Sequence, residues 1–174
     1  MLLSLEPLQE TWDVVAWRSY GQVWEHKHLP FWVVGWHLHP ERTSVRLAQM
    51  REVAEIIKRR RRERLPDNSP PWSSGLLVLG DFNCDLDERV HRDLQARGFV
   101  NAMERVGGGV QLTMDTVGIS PWRIDHIYAS PALAPGLRRA AVERRAGFRH
   151  DGPQVKGLWV HSDHLPVVAE FAGD

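Results

Sequence analysis

Apolar residues come along this chain in short runs, and one stretch repeats them at helical spacing. Val14-Val15-Ala16-Trp17 and Phe31-Trp32-Val33-Val34 are compact β-branched and aromatic runs, which predict strands. The polar stretch from Gly21 to Pro30 predicts the turn between them. The second strand runs on through Gly35-Trp36-His37-Leu38-His39 and should end at Pro40. From Ser44 to Lys58 the period changes. Leu47, Met50, Ala54 and Ile57 recur at spacings of three and four, and Val53 widens the stripe, so this segment predicts an amphipathic helix capped by Thr43 or Ser44. The basic run Lys58 to Arg64 suits the helix C-terminus and is expected to be a solvated helix end.

Further on, Leu76-Leu77-Val78-Leu79 leads into Gly80-Asp81-Phe82-Asn83, a buried strand followed by a turn. Val90 to Arg97 predicts a short helix stopped by Gly98, with Phe99 opening the next element. Arg123 to Tyr128 alternates: Ile124, His126 and Tyr128 face one way, Asp125 and Ile127 the other. Residues 135 to 157 are basic and Gly-rich and predict an exposed connection. Leu165 to Phe171 predicts a final strand. Strands 76–79, 124–128 and 165–171 are expected in one sheet, with helix 44–58 on one face. Leu76 and Val78 oppose Leu77 and Leu79, so both faces of that strand are apolar and built for burial.

Composition narrows the class. At 174 residues the chain is expected to form one domain, 1–174, with a proper core. Lys plus Arg is 22 and Asp plus Glu is 22, so no global field draws it to a polyanion or a membrane. One cysteine, Cys84, excludes an internal disulfide framework and a cysteine-built zinc site; it reads as a small packing residue. No apolar stretch is long enough to span a bilayer, and Met1 to Leu5 lacks the marks of a signal peptide, so a cytoplasmic rather than a secreted protein is expected. Gly107-Gly108-Gly109 lacks the Lys and Ser/Thr of a phosphate loop.

The chemistry-bearing residues sit beside strands: Asp81 and Asn83, then Asp125, then Asp163 and His164. Gly80-Asp81-Phe82-Asn83, Arg123-Ile124-Asp125-His126-Ile127 and Ser162-Asp163-His164-Leu165-Pro166 follow one another in the order of the endonuclease/exonuclease/phosphatase superfamily, which the chain resembles. Val34-Gly35-Trp36-His37-Leu38 is similar to its V-N-T-H-L, Arg46 with Gln49 to its R-x-x-Q, and Leu94 with Gly98-Phe99 to its L-x-x-x-G-F. The resemblance covers about residues 31 to 171. It implies a deoxyribonuclease-I-like α/β fold, a two-sheet β-sandwich flanked by helices. It also implies a phosphoesterase dependent on Mg²⁺ or Mn²⁺, with a phosphodiester or phosphomonoester substrate and nucleic acid among the candidates.

By that resemblance Asp163 holds the metal, Asp81 orients or deprotonates the attacking water, and Asn83 and His37 bind phosphate oxygens. Asp125 and His164 form a pair in which the carboxylate keeps the imidazole cationic. These roles suit the chemistry, since phosphoester cleavage needs neutralised phosphate oxygens, an aimed water and a stabilised leaving oxygen. A His37-x-His39 metal pair of the calcineurin type would need a later Gly-Asn-His-Asp/Glu, which the sequence lacks.

The chain departs from the family pattern in two places. Gly35 stands where the family has Asn. The family's N-terminal half, with its metal-binding Glu in L-Q-E, is expected to be missing. Leu8-Gln9-Glu10 spells L-Q-E, yet only 27 positions separate Glu10 from His37, so the match reads as accidental. A sheet face left bare predicts self-association or a covering partner. The rival reading is a catalytically weak or silent remnant acting as a binding or assembly module.

Overall fold

The computed structural model describes residues 8–16, 19–26, 31–64, 75–109, 111–115, 121–144, 162 and 164–172, without the side chains of 8–26, 60–64, 115 and 121. The first three strands form a meander. β1 (Leu8–Ala16) runs antiparallel to β2 (Ser19–His26), with Asp13 opposite Gln22 and Val14 opposite Gly21. β2 pairs antiparallel with β3 (Trp32–His37), with Val23 opposite Val34. Two expectations give way here. The stretch from Gly21 to His26 is strand and not turn, and β1 begins at Leu8, where the sequence carries no pattern. The ladder is made by backbone groups, and Gln22 and Glu25 supply those as well as any apolar residue.

α1 (Thr43–Arg64) then crosses over to β4 (Leu76–Asp81), which lies parallel to β3. A parallel neighbour requires such a crossover. After it come α2 (Arg89–Ala96), β5 (Val100–Asn101), α3 (Ala102–Val106), β6 (Met114–Asp115), β7 (Pro121–Trp122), β8 (Asp125–Ala129), β9 (Leu137–Val142) and β10 (Val167–Phe171). The six-stranded sheet has the order β1-β2-β3-β4-β8-β5; β10 and β9 form a second sheet, and β6 and β7 a small ribbon. The chain is thus a mixed α/β fold with helices against its sheets. Among the described residues no helix is long and apolar enough to cross a membrane.

Alternation sorts the side chains of β3, β4 and β8. Trp32, Val34, Trp36, Leu76, Val78 and Tyr128 join the main core together with Val53 and Ile57 of α1. The predicted helical stripe is therefore the packing face, with Leu47 and Met50 at its margin. Its first turns put a polar pair inward: Arg46 and Gln49 are buried. α2 adds Val90 and Leu94 and ends where Gly98 adopts φ 80°, the Gly98 and Phe99 amides turning back to Gln95 and Leu94 carbonyls.

The opposite face of the sheet carries a second, smaller core. Ala102, Met103, Leu137 and Ala140 gather there, with Ile127 of β8 against them. The sequence predicts strand 165–171 in the main sheet and an exposed connection over 135–157; the first gives way, and the second gives way at Leu137–Val142, while 145–157 lie outside the described residues. Val167–Phe171 pairs with β9, which lies inside that stretch. β9 escapes the pattern because Phe171 faces Leu137 and Glu170 faces Arg139, so Arg138 is an extra residue that breaks the alternation. Among the described residues this face is unevenly buried. Leu77 is buried, while Leu79, Ile127, Val142, Val167, Ala169 and Phe171 are half-buried.

Candidate active site

One cross-strand row organises the site. His37 ends β3 opposite Asp81, which ends β4, and Asp81 lies opposite Asp125, which begins β8. By alternation this row belongs to the face that carries the second core. Glu10 stands in another row, through Glu25, Trp32 and Leu76. Five residues along β3 and β4 separate the two rows, about 16 Å at ~3.3 Å per residue.

The turn after β4 is shaped by its own residues. Gly80 has φ +126°, and a Cβ there would lie 2.1 Å from the Trp36 carbonyl oxygen, so only glycine permits β3 this close. Phe82 is fully buried, edge-on to Trp36 at 5.1 Å and stacked on His91 at 5.1 Å. That anchor leaves Asp81 and Asn83 half-buried on either side of it. Asp81 Oδ1 accepts the Asn83 backbone N–H at 2.7 Å, which holds Asn83 at φ 50°. The Asn83 Nδ2 donates to the Leu38 carbonyl at 2.8 Å, so one of its amide hydrogens is committed to the loop after β3.

Around this turn the charges meet. His37 Nε2 lies 3.4 Å from Asp81 Oδ2, with its ring exposed. Burial, then the neighbouring Asp125 charge, pushes the Asp81 carboxyl above the usual range, partly offset by the Asn83 amide. His164 Nδ1 donates to Asp125 Oδ2 at 2.9 Å. Ligand-capable atoms of Asp81, Asp125 and His164 lie within 4.8 Å of one another, a donor set with two hard carboxylates that suits a divalent cation. The structure thus brings together Asp81, Asn83, Asp125, His164 and His37. Asp163 lies outside the described residues, between Ser162 and His164, whose backbone N–H donates to the Ser162 hydroxyl at 3.0 Å.

The loop that presents His37 is fastened from α1. Arg46 donates to the His39 carbonyl at 2.6 Å and the Pro40 carbonyl at 3.1 Å, and it forms an ion pair with Glu88. Burial pushes Glu88 up, but hydrogen bonds from Arg46 and Thr43 outweigh it and hold the carboxyl low. Gln49 Oε1 accepts the His39 backbone N–H at 3.1 Å. His39 itself folds back, its Nδ1 accepting from the Glu41 and Arg42 amides.

Behind the site lies a buried aromatic and imidazole cluster. His91 Nδ1 is 2.8 Å from the Tyr128 hydroxyl, and His126 Nδ1 is 3.2 Å from Asn101 Nδ2. Burial pulls His91 down to about 4 and His126 to about 3, so both rings stay neutral. Cys84 packs 3.5 Å from His91 Nε2, and burial raises its thiol, so it stays protonated.

Three residues of this region carry no signal in the reading of the motifs. Asn101 caps α3, accepting from the Met103 and Glu104 amides; an Asn directly before a helical segment is the cue for it. Trp122, three positions before Asp125, is 41% exposed. Thr113 is buried and bonded to both Ile124 and Asp125 amides, and nothing in its spacing marks it.

Residues 8–140 match the Endonuclease/Exonuclease/phosphatase family. The chain belongs to this family. No curated protein matches it in sequence. Among solved structures, a mannosyl-6-phosphatase from Bacteroides thetaiotaomicron is similar, with 17% identity and a TM-score of 0.68 over 96% of this chain and 67% of its own. A variant of the 3′ phosphatase NExo from Neisseria, bound to a product DNA hairpin, gives 20% identity and 0.65 over 98% of this chain and 73% of its own. A conserved protein of unknown function from Enterococcus faecalis gives 23% and 0.60 over 90% of this chain, which spans 56% of that protein's length. At these identities the likeness is one of fold, and the fold is that of this family.

Proposed function

We propose that this chain is a metal-dependent phosphoesterase. The observation that carries the reading is the Asp125–His164 pair at 2.9 Å with Asp81 beside it. A divalent cation, Mg²⁺ or Mn²⁺, would neutralise phosphate charge; the Asp81 and Asp125 carboxylates could hold it, with Asp163 as the ligand that the resemblance implies. Asp81 orients a water and takes its proton as the water oxygen forms a bond to phosphorus. The ester P–O bond breaks, and the leaving oxygen takes a proton from solvent. Asp125 fixes the ring of His164 by its Nδ1, which lets Nε2 donate to a phosphoryl oxygen. His37 and the second Asn83 amide hydrogen bind the phosphate oxygens. Solved relatives that act on a sugar phosphate or on DNA ends keep both substrate types in play.

A second reading has its own support. The chain spans 56% of the Enterococcus relative, and the apolar residues packed around its second core are half-buried. On that reading it is a weak or silent module whose open face self-associates or meets a partner. The test is hydrolysis of bis(4-nitrophenyl) phosphate and 4-nitrophenyl phosphate with Mg²⁺ or Mn²⁺, run beside light scattering on the same sample. Activity that His164→Ala abolishes supports the enzyme. No turnover, together with a dimer, supports the module.

A further inference from the structure

We propose that Thr113 is a positioning residue that sets the geometry of the Asp125–His164 pair, an inference that rests on the reading of that pair as catalytic. Thr113 is 1% exposed and reaches both partners at once. Its Oγ1 accepts the backbone N–H groups of Ile124 and Asp125, each at 3.1 Å. Its carbonyl accepts the Leu165 N–H at 2.6 Å, and its own N–H donates to the Trp122 carbonyl at 2.9 Å. The next residue, Met114, bridges directly to His164. One residue therefore grips the start of β8 with its side chain and the His164 segment with its main chain.

The chemistry limits what can replace it. Two N–H groups converging on one hydroxyl oxygen occupy both of its lone pairs. Serine keeps that oxygen; valine keeps the shape and leaves two buried donors without an acceptor. Ile124 also passes the constraint on, since its carbonyl accepts the Phe82 N–H at 2.8 Å, inside the turn that carries Asp81 and Asn83. A small drift of Asp125 thus moves the imidazole it holds relative to Asp81. Reaction rates are steep in such displacements.

The experiment compares Thr113→Val and Thr113→Ser with wild type, each alone and combined with Asp125→Asn. It reads kcat and KM on bis(4-nitrophenyl) phosphate with Mn²⁺, and amide hydrogen exchange at residues 124 and 125. Thr113→Val should lower kcat about 10- to 100-fold with KM little changed, and Thr113→Ser should stay near wild type. In the Asp125→Asn background the valine should cost less than about 2-fold, because the interaction it serves is already gone. Exchange at the two amides should rise in Thr113→Val alone. Equal cost in both backgrounds, or unchanged exchange at both amides, overturns the proposal. If wild type itself shows no turnover, the phosphoesterase reading fails, and the exchange arm still decides whether Thr113 holds Asp125.

Discussion

Asp81 and Asp125 face each other across the antiparallel pair of β4 and β8, two carboxylates in one row. Like charges directly opposite destabilise a sheet pair. Burial and then the Asp125 charge raise the Asp81 carboxyl above its usual value. An acid raised in this way holds its proton more tightly when folded. Its ionisation costs stability from about pH 4 upward, and the cost is full above the folded-state value. Asp81→Asn should therefore melt about 2–4 °C higher at pH 7 in the absence of divalent cations, while hydrolysis drops about 100-fold or more. A variant that melts lower than wild type would show that charge does not strain this row.

Asp125→Asn separates chemistry from stability at the other end of the row. The amide keeps the shape and loses the negative partner of His164 Nδ1. Hydrolysis should fall about 100-fold or more, with a melting temperature within a few degrees of wild type. Paired kinetic and calorimetric measurements check this, and retained activity refutes the role given to the pair.

The buried imidazoles predict acid sensitivity. His91 at about 4 and His126 at about 3 both lie below the ~6.5 of an unfolded histidine. A depressed folded-state value means the unfolded chain binds protons first. Stability is full above about pH 6.5 and falls as pH drops toward and through the folded values. Urea midpoints measured from about pH 8 to 4 should decline below about pH 6.5, and His91→Gln should flatten that decline. An unchanged slope in the variant would mean that other groups set it.

Gly80→Ala tests the close approach of β3 and β4. The new methyl would meet the Trp36 carbonyl oxygen at 2.1 Å on a backbone with φ +126°. The expected loss is more than ~2 kcal/mol, from strain and clash together. Denaturant unfolding reads it, and a loss under ~0.5 kcal/mol would show that the strands can part at no great cost.

The sequence speaks most clearly where one residue type has one reason to be present. Gly80-Asp81-Phe82-Asn83 is legible because a glycine, an anchoring aromatic and two short polar residues are each required by the turn. The α1 stripe is legible because Val53 and Ile57 must face the core. β2 was hidden because Gly21 and Glu25 pair through their backbones, and β9 because Arg138 interrupts its phase. Partner choice was also beyond local reading. Whether Val167–Phe171 joins β8 or β9 depends on chain far from both. Thr113 escaped for the same reason: its role is a set of distances to residues about ten and fifty positions away, with no pattern of its own.

Gly80 acts as a keyway between β3 and β4. Shift β4 by one residue against β3, and Leu79 or Asp81 arrives beneath the Trp36 carbonyl, where a side chain has no room. The same slip would carry Asp81 out of line with His37 and turn it to the other face of the sheet. Strand registration and assembly of the reacting groups are therefore a single event. On the proposed function, a population of this chain with its parallel strands mis-set would be both disrupted in its core and chemically inert, so turnover per molecule would double as a gauge of correct folding.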